Sequence, residues 1–228
     1  MIEDVQARAA AVAAARHHVE PGMTIGLGSG RAVFALTDAL ADVQAGKPVR
    51  VVVASQVTEA RARAAGLEVV ELDDVERIDL SIDGADEVDP RLDLIKGGGA
   101  ALLREKLVMA SAERVLIVAE RRKYVERLGT LHRLPVEVVR FGWATTRRRL
   151  LDLVPDATLR RQPGGEPVVT DEGHYLLDCP IPPGDIARLA EAIKSILGVV
   201  DHGLFLGVAT QVLLGNDDAT VTTLQRRS

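Results

Sequence analysis

The chain has 228 residues, a net charge of −5 and only 3% aromatic residues. That length can bury a large core as one domain or two small ones. The acidic balance and scarce aromatics exclude a nucleic-acid surface of basic patches and stacked bases, and the single cysteine, Cys179, excludes an internal disulfide and fits a reducing compartment. The first residues, Met1-Ile2-Glu3-Asp4, lack the basic start of a signal peptide, and the alanine-rich run is interrupted by Arg16, His17 and His18. A helix over about 3–19 is expected, in a cytoplasmic protein without a membrane span.

Thr24–Leu27 reads as a strand entering Gly28-Ser29-Gly30, followed by a helix from Ala32 to about Val43. Val49–Ala54 is a β-branched strand; Ser55 caps a helix through Ala65 that Gly66 ends; Glu68–Leu72 is a further strand. Ile78, Leu80 and Ile82 alternate with Asp79 and Ser81, a strand pattern that ends in Asp83-Gly84-Ala85-Asp86-Glu87. Leu92–Ile95 is a short strand running into Lys96-Gly97-Gly98-Gly99 and a helix over Ala100–Ala110. Val115–Ala119 is another strand, with Lys123 just beyond. This alternation predicts a parallel sheet with helices on both faces.

The texture changes after Gly129. Strand Pro135–Val139, helix Trp143–Val154, a turn at Pro163-Gly164-Gly165, strand material over Val168–Cys179 broken at Asp171-Glu172-Gly173, and helix Asp185–Leu197 form a split α+β order. Gly203–Gly207 and Thr220–Leu224 are β-prone and are expected to rejoin the first sheet. The predicted fold is α/β: a Rossmann-like parallel-sheet domain, residues 1–127 plus 201–228, with an inserted smaller α+β (ferredoxin-like) domain, residues 128–200, involved in oligomerisation.

Four predicted strands carry glycines, Asp or Lys at their C-terminal ends, the edge of a parallel sheet where ligands bind. Lys96, three glycine amides and Glu105 lie within ten residues, which suits holding an anion and moving a proton. Asp83 and Asp86 can point at the same spot. The chain has 28 basic residues of which five are Lys, leaving 23 Arg; Lys96, Lys106 and Lys123 fall in this region, which suggests a need for a compact, movable ammonium there.

Gly26-Leu27-Gly28-Ser29-Gly30 fails the dinucleotide fingerprint because Arg31 stands where the third spaced glycine belongs, and no GxxxxGK exists. A helix start with small residues and Arg31 still suits a terminal phosphate. The five His show no HxxxH spacing. Asp83, Asp86 and Glu87 could hold Mg²⁺, but Lys96 would compete, so acid–base work without metal or cofactor is expected.

These motifs, with Leu134-Pro135-Val136-Glu137-Val138 and Val168-Val169-Thr170-Asp171-Glu172-Gly173, resemble the type A ribose-5-phosphate isomerases in order and spacing over nearly the whole chain. The resemblance implies metal-free interconversion of D-ribose 5-phosphate and D-ribulose 5-phosphate by a homodimer or homotetramer. It makes Glu105 the general base, acting through an enediolate. Lys96 and the Gly97, Gly98 and Gly99 amides become oxyanion stabilisers, and Asp83 and Asp86, around Gly84 and Ala85, the pair for hydroxyl protons and ring opening. Lys123, and Arg8 where the family usually has Lys, would hold phosphate with Ser29, Gly30, Arg31 and Ala32. One departure stands out: the family turn normally continues Gly-Thr-Gly-Ser-Thr, and here Arg31 and Ala32 replace two hydroxyl donors. That leaves open a related isomerase with an altered substrate, or a non-catalytic sugar-phosphate sensor, although sensing needs no base at Glu105.

Overall fold

A computed structural model describes residues 2–40 and 48–226. The expected end of the second helix near Val43 lies outside the described residues. In chain order the first half holds α1 (Ile2–Arg16), β1 (Thr24–Leu27), α2 (Arg31–Leu40), β2 (Arg50–Val53), α3 (Gln56–Ala64), β3 (Glu68–Val69), β4 (Leu80–Asp83), β5 (Glu87–Val88), β6 (Leu94–Ile95), α4 (Leu102–Ala110) and β7 (Val115–Glu120). The second half holds β8 (Leu134–Val138), α5 (Trp143–Leu150), β9 (Thr158–Leu159), β10 (Tyr175–Cys179), α6 (Ile186–Lys194), β11 (Val199–His202), β12 (Leu204–Phe205), β13 (Gln211–Gly215) and β14 (Val221–Gln225).

Among the described residues the main sheet has seven strands in the order β14-β13-β7-β4-β1-β2-β3, parallel throughout except for the β13–β14 hairpin at its edge. Strands after β1 run outward on one side and strands after β4 on the other. The order therefore reverses between β1 and β4, which opens a crevice beyond their C-terminal ends. Both faces are covered. The alternation read for β4 is real, yet Ser81 is buried as fully as its apolar neighbours because α4 packs over that face. α3 is punctuated as its sequence predicts: the Ser55 hydroxyl accepts from the Thr58 amide at 3.1 Å, and Gly66 takes φ +75° just past the helix.

β8 to β11, with α5 and α6, form a second layer pair. Its four-stranded sheet runs β11-β8-β10-β9 with every neighbouring pair antiparallel, the split β-α-β arrangement expected from the sequence. Leu134, Val136, Val138, Leu177 and Ile193 fill its own core. β11 ends at His202, so this sheet extends just past the boundary drawn at residue 200.

Three expectations need correction. The strand before Lys96 is not part of the main sheet; Leu92 has φ +61° and Asp89 accepts from the Arg91 and Asp93 amides, so the chain turns back and β6 pairs antiparallel with β5. Gly203–Gly207 does not rejoin the main sheet either, since β12 pairs with β6. The strands that do return are β14, where Thr220–Leu224 was expected to rejoin, and β13, which lies parallel beside β7 and was not anticipated. Finally, α4 starts at Leu102, not at Ala100, whose φ of +63° inserts a left-handed turn between the glycines and the helix. No helix among the described residues is long and apolar enough to cross a membrane.

Candidate active site

Gly28 follows β1 and Asp83 ends β4, the two strands that flank the switch point. A Cβ on Gly28 would stand 1.7 Å from the Asp83 carboxyl carbon, so this strand end can only be glycine if the carboxylate is to lie there. The Asp83 carboxylate accepts from the Ser29 amide at 3.2 Å and the Gly84 amide at 2.7 Å. It is fully buried, and its second oxygen lies 2.9 Å from Lys96 Nζ.

Lys96 is the hub. Delivered by β6, its ammonium donates to the Gly84 carbonyl at 2.7 Å and lies 3.1 Å from Glu105 Oε2, on the first turn of α4. Lys96 and Glu105 are 3% and 4% exposed, so these charges act on each other with little screening by water. The buried Phe205 ring stands 5.6 Å from Lys96 Nζ and 4.7 Å from Lys106 Nζ, and Lys106 is in turn held by Asp201 and the His202 carbonyl.

Burial drives the Glu105 carboxyl up to about 8; the Asp83 charge adds to the rise and Lys96 opposes it. Burial also raises Asp83, against Lys96. For Lys96 burial acts the other way, but Asp83 and Glu105 outweigh it and hold the ammonium above its ordinary value. A carboxylate that can lose and regain a proton near neutral pH thus sits beside a permanent cation.

A cavity of about 210 Å³ opens above this cluster. Of the residues picked from the sequence, Glu105, Lys96, Asp86, Gly84, Ala85, Gly97–Gly99, Ser29–Ala32 and Lys123 line it. Asp86 reaches the wall directly and accepts from the Gly98 amide at 2.8 Å, so that amide is already engaged. Asp83 lies beneath the cavity without lining it. Glu87 turns away entirely: it is buried and accepts from the Gly129, Thr130, Leu131 and His132 amides. Among the described residues no group of three or more His, Cys, Asp or Glu could hold a metal ion.

Arg8 also stands apart from the lining. α1 crosses β13 so closely that a Cβ on Gly215 would meet the Ala7 carbonyl at 1.7 Å, and Gly215 is in register with Glu120 of β7. Arg8 therefore reaches Glu120, 3.1 Å away, from behind the cavity wall. Glu120 itself was missed in the sequence. It lines the cavity, pairs with Lys123 at 3.2 Å, and closes an all-buried strand just as Asp83 does, which is the signal that could have found it. Burial works against the Glu120 carboxylate, but Lys123 and Arg8 outweigh it and lower its pKa.

The glycine turn is braced from the second sheet. Arg160, paired with Asp178, donates to the Gly97 carbonyl at 2.6 Å. The turn at Asp171-Glu172 ties to Arg104 of α4, and Asp171 accepts from the Gln56 amide at 2.9 Å.

The chain as a whole is similar to proteins of one family. Residues 50–219 match the family model for ribose 5-phosphate isomerase A (phosphoriboisomerase A). The chain is 49% identical to ribose-5-phosphate isomerase A of Roseiflexus sp. (strain RS-1), over 91% of this chain and 91% of that protein. With the enzyme of the same name from Synechococcus sp. (strain JA-3-3Ab), identity is 45% over 95% of this chain and 96% of the relative. Ribose 5-phosphate isomerase from Plasmodium falciparum superposes with a TM-score of 0.91 at 35% identity, covering 99% of this chain and 100% of that one. With a family match spanning all the strands of the split sheet, and relatives aligned nearly end to end, the chain belongs to the ribose-5-phosphate isomerase A family.

Proposed function

We propose that this chain interconverts D-ribose 5-phosphate and D-ribulose 5-phosphate, with Glu105 as the general base. The observation that carries the reading is the Lys96 hub: one buried ammonium within 3.1 Å of both Asp83 and Glu105, opening onto a cavity whose lining also carries Lys123 and Arg31. In the forward direction the Glu105 carboxylate takes the proton from C2 of the open-chain aldose, and the electron pair moves onto the carbonyl oxygen. Lys96 stabilises the negative charge of the resulting enediolate. The C2 hydroxyl gives up its proton as the C1 oxygen gains one, and Glu105 returns the first proton to C1, so that the electron pair left on the C2 oxygen forms the ketose carbonyl. Asp86, which reaches the cavity, is suited to hydroxyl proton transfer and ring opening, whereas Asp83, held beneath it, keeps Lys96 charged and in place. Ser29 to Ala32 and Lys123 hold the phosphate, with Arg8 supporting through Glu120.

The purified chain should convert ribose 5-phosphate to ribulose 5-phosphate, and exhaustive dialysis against EDTA should leave the rate unchanged. Activity that disappears and returns only with Mg²⁺ or Zn²⁺ would mean that the acidic residues serve a metal.

A pH profile follows from the electrostatics. The base must be ionised, and its pKa lies near 8, so kcat/KM should climb as pH rises toward 8 and level off above it. A profile flat from pH 6 to 9 would remove Glu105 from the role of base.

The same reading makes the chain a cytoplasmic homodimer or homotetramer, joined in part by the second sheet's layer. A lone buried Cys179 supports the compartment, and Phe141 and Leu197, 95% and 79% exposed on that layer, support the contact. Light scattering that gives a monomer mass at micromolar concentration would overturn the assembly.

A further inference from the structure

Glu120 places a carboxylate in the wall of a cavity that, on the reading above, takes a phosphate. Both its oxygens are occupied: Oε1 by Arg8 at 3.1 Å and Oε2 by Lys123 at 3.2 Å. Lys123 spends a further donor on the Ala85 carbonyl at 2.7 Å. The two cations and the carboxylate together leave a single positive charge. A phosphomonoester carries nearly two negative charges above its second pKa, about 6. Arg31 supplies the difference. It is the first residue of the ten-residue α2, lines the same cavity and is exposed, and its side chain has no charged or hydrogen-bonding partner among the described residues. Counting Arg8, Lys123, Arg31 and Glu120, and leaving aside the Lys96, Asp83, Asp86 and Glu105 charges that cluster together around the same cavity, three cations against one carboxylate leave a net of two positive charges, which equals the charge of the dianion.

We propose that Glu120 is a fixed counter-charge that sets the net charge of the phosphate subsite, and that Arg31 is the specificity-determining cation that completes the match to a dianionic phosphate. The inference rests on the sugar-phosphate reading and adds to it an account of why an arginine stands in the turn. A carboxylate that merely held Lys123 and Arg8 in position would have the opposite effect on phosphate affinity when its charge is removed.

Inorganic phosphate, titrated against the full-length protein by calorimetry and as a competitive inhibitor, separates the two roles. Arg31→Ala should raise its dissociation constant by about tenfold or more, the loss expected for a charged hydrogen bond, and raise KM for ribose 5-phosphate by a like factor with far less change in kcat. It should also flatten the dependence of phosphate affinity on ionic strength, which a purely structural residue would not do. Glu120→Gln should tighten phosphate binding by about three- to tenfold, on the scale of one removed like charge. The double variant, whose net charge equals the parent's, should return to within about threefold of it.

Weaker phosphate binding by Glu120→Gln, with the double variant worse than either single, would overturn the counter-charge and make Glu120 a clamp. Unchanged binding by Arg31→Ala would overturn the role of Arg31. Should Glu120→Gln fail to fold, Arg31→Lys against Arg31→Gln still decides for the charge: the lysine should retain most of the affinity and the glutamine lose it, and equal affinities would sink the inference. A parent protein that binds no phosphate and isomerises nothing defeats the sugar-phosphate reading itself, a result distinct from a binding parent with an equally binding Arg31→Ala.

Discussion

Glu105→Gln should lower kcat by about two to four orders of magnitude while KM moves little, the pattern of losing a group needed only to reach the transition state. The amide keeps the shape of the side chain and can still face Lys96, 3.1 Å from the native carboxylate oxygen, so the cavity should persist. Stability should hold or rise, because replacing a buried carboxyl whose pKa is driven up by its surroundings removes an unfavourable charge at alkaline pH. The sign follows from linkage. Between the ordinary carboxyl range and about pH 8 the folded protein holds a proton that the unfolded chain has released, so the native state loses stability as pH rises through that window. A folded Glu105→Gln that turns over near the parent rate would end the assignment.

The second large effect is structural. Gly28→Ala places a methyl group 1.7 Å from the Asp83 carboxyl carbon, and that carboxylate has nowhere to retreat, being held by two backbone amides and Lys96. Either the β1 end shifts or the buried ion pair breaks; each should cost about 2–5 kcal/mol of unfolding free energy, measurable as a shift of the urea midpoint. Gly84→Ala offers the contrast. Its added Cβ meets nothing closer than 3.8 Å, so the urea midpoint should stay near the parent's. Equal stability of the two variants would show that Asp83 is free to move, and would weaken its role in fixing Lys96.

The contrast also shows what could be read from the chain and what could not. The segments of the candidate site were legible because their charged groups are contiguous: Asp83 and Asp86 lie three apart, and Lys96 and Glu105 fall within ten residues. The ends of β1, β4 and β7 were legible because strand patterns stop where polar groups begin. Gly28 could be recognised as part of a turn, but the carboxylate that makes it necessary arrives from 55 positions away, a pairing set by strand order alone. β13 escaped notice for a related reason: Gln211-Val212-Leu213-Leu214-Gly215 is a short apolar run with no periodicity to separate strand from helix. β6 was read correctly as a strand and misplaced, because nothing in Leu94-Ile95 distinguishes a hairpin arm from a sheet member. Glu120 resembles any charged residue at a strand end until Arg8 and Lys123 are seen closing on it. Arg8 was placed on the phosphate directly; the crossing of α1 over Gly215 puts it one carboxylate farther back.

Arg160 has a consequence of another kind. Its guanidinium joins Asp178 of β10 to the Gly97 carbonyl, while Lys106 joins α4 to Asp201 of β11. The turn after Lys96 and the helix bearing Glu105 are thus each fastened to a sheet with its own apolar core. Native proteins open in cooperative units rather than residue by residue. Here these ties come not from the sheet from whose edge Asp83 projects but from the one beside it. Were β10 and β11 to open as one unit, the Gly97 carbonyl and the α4 anchor would be released together. A layer that contributes no residue to the cavity thus braces both the glycine turn and the helix that do.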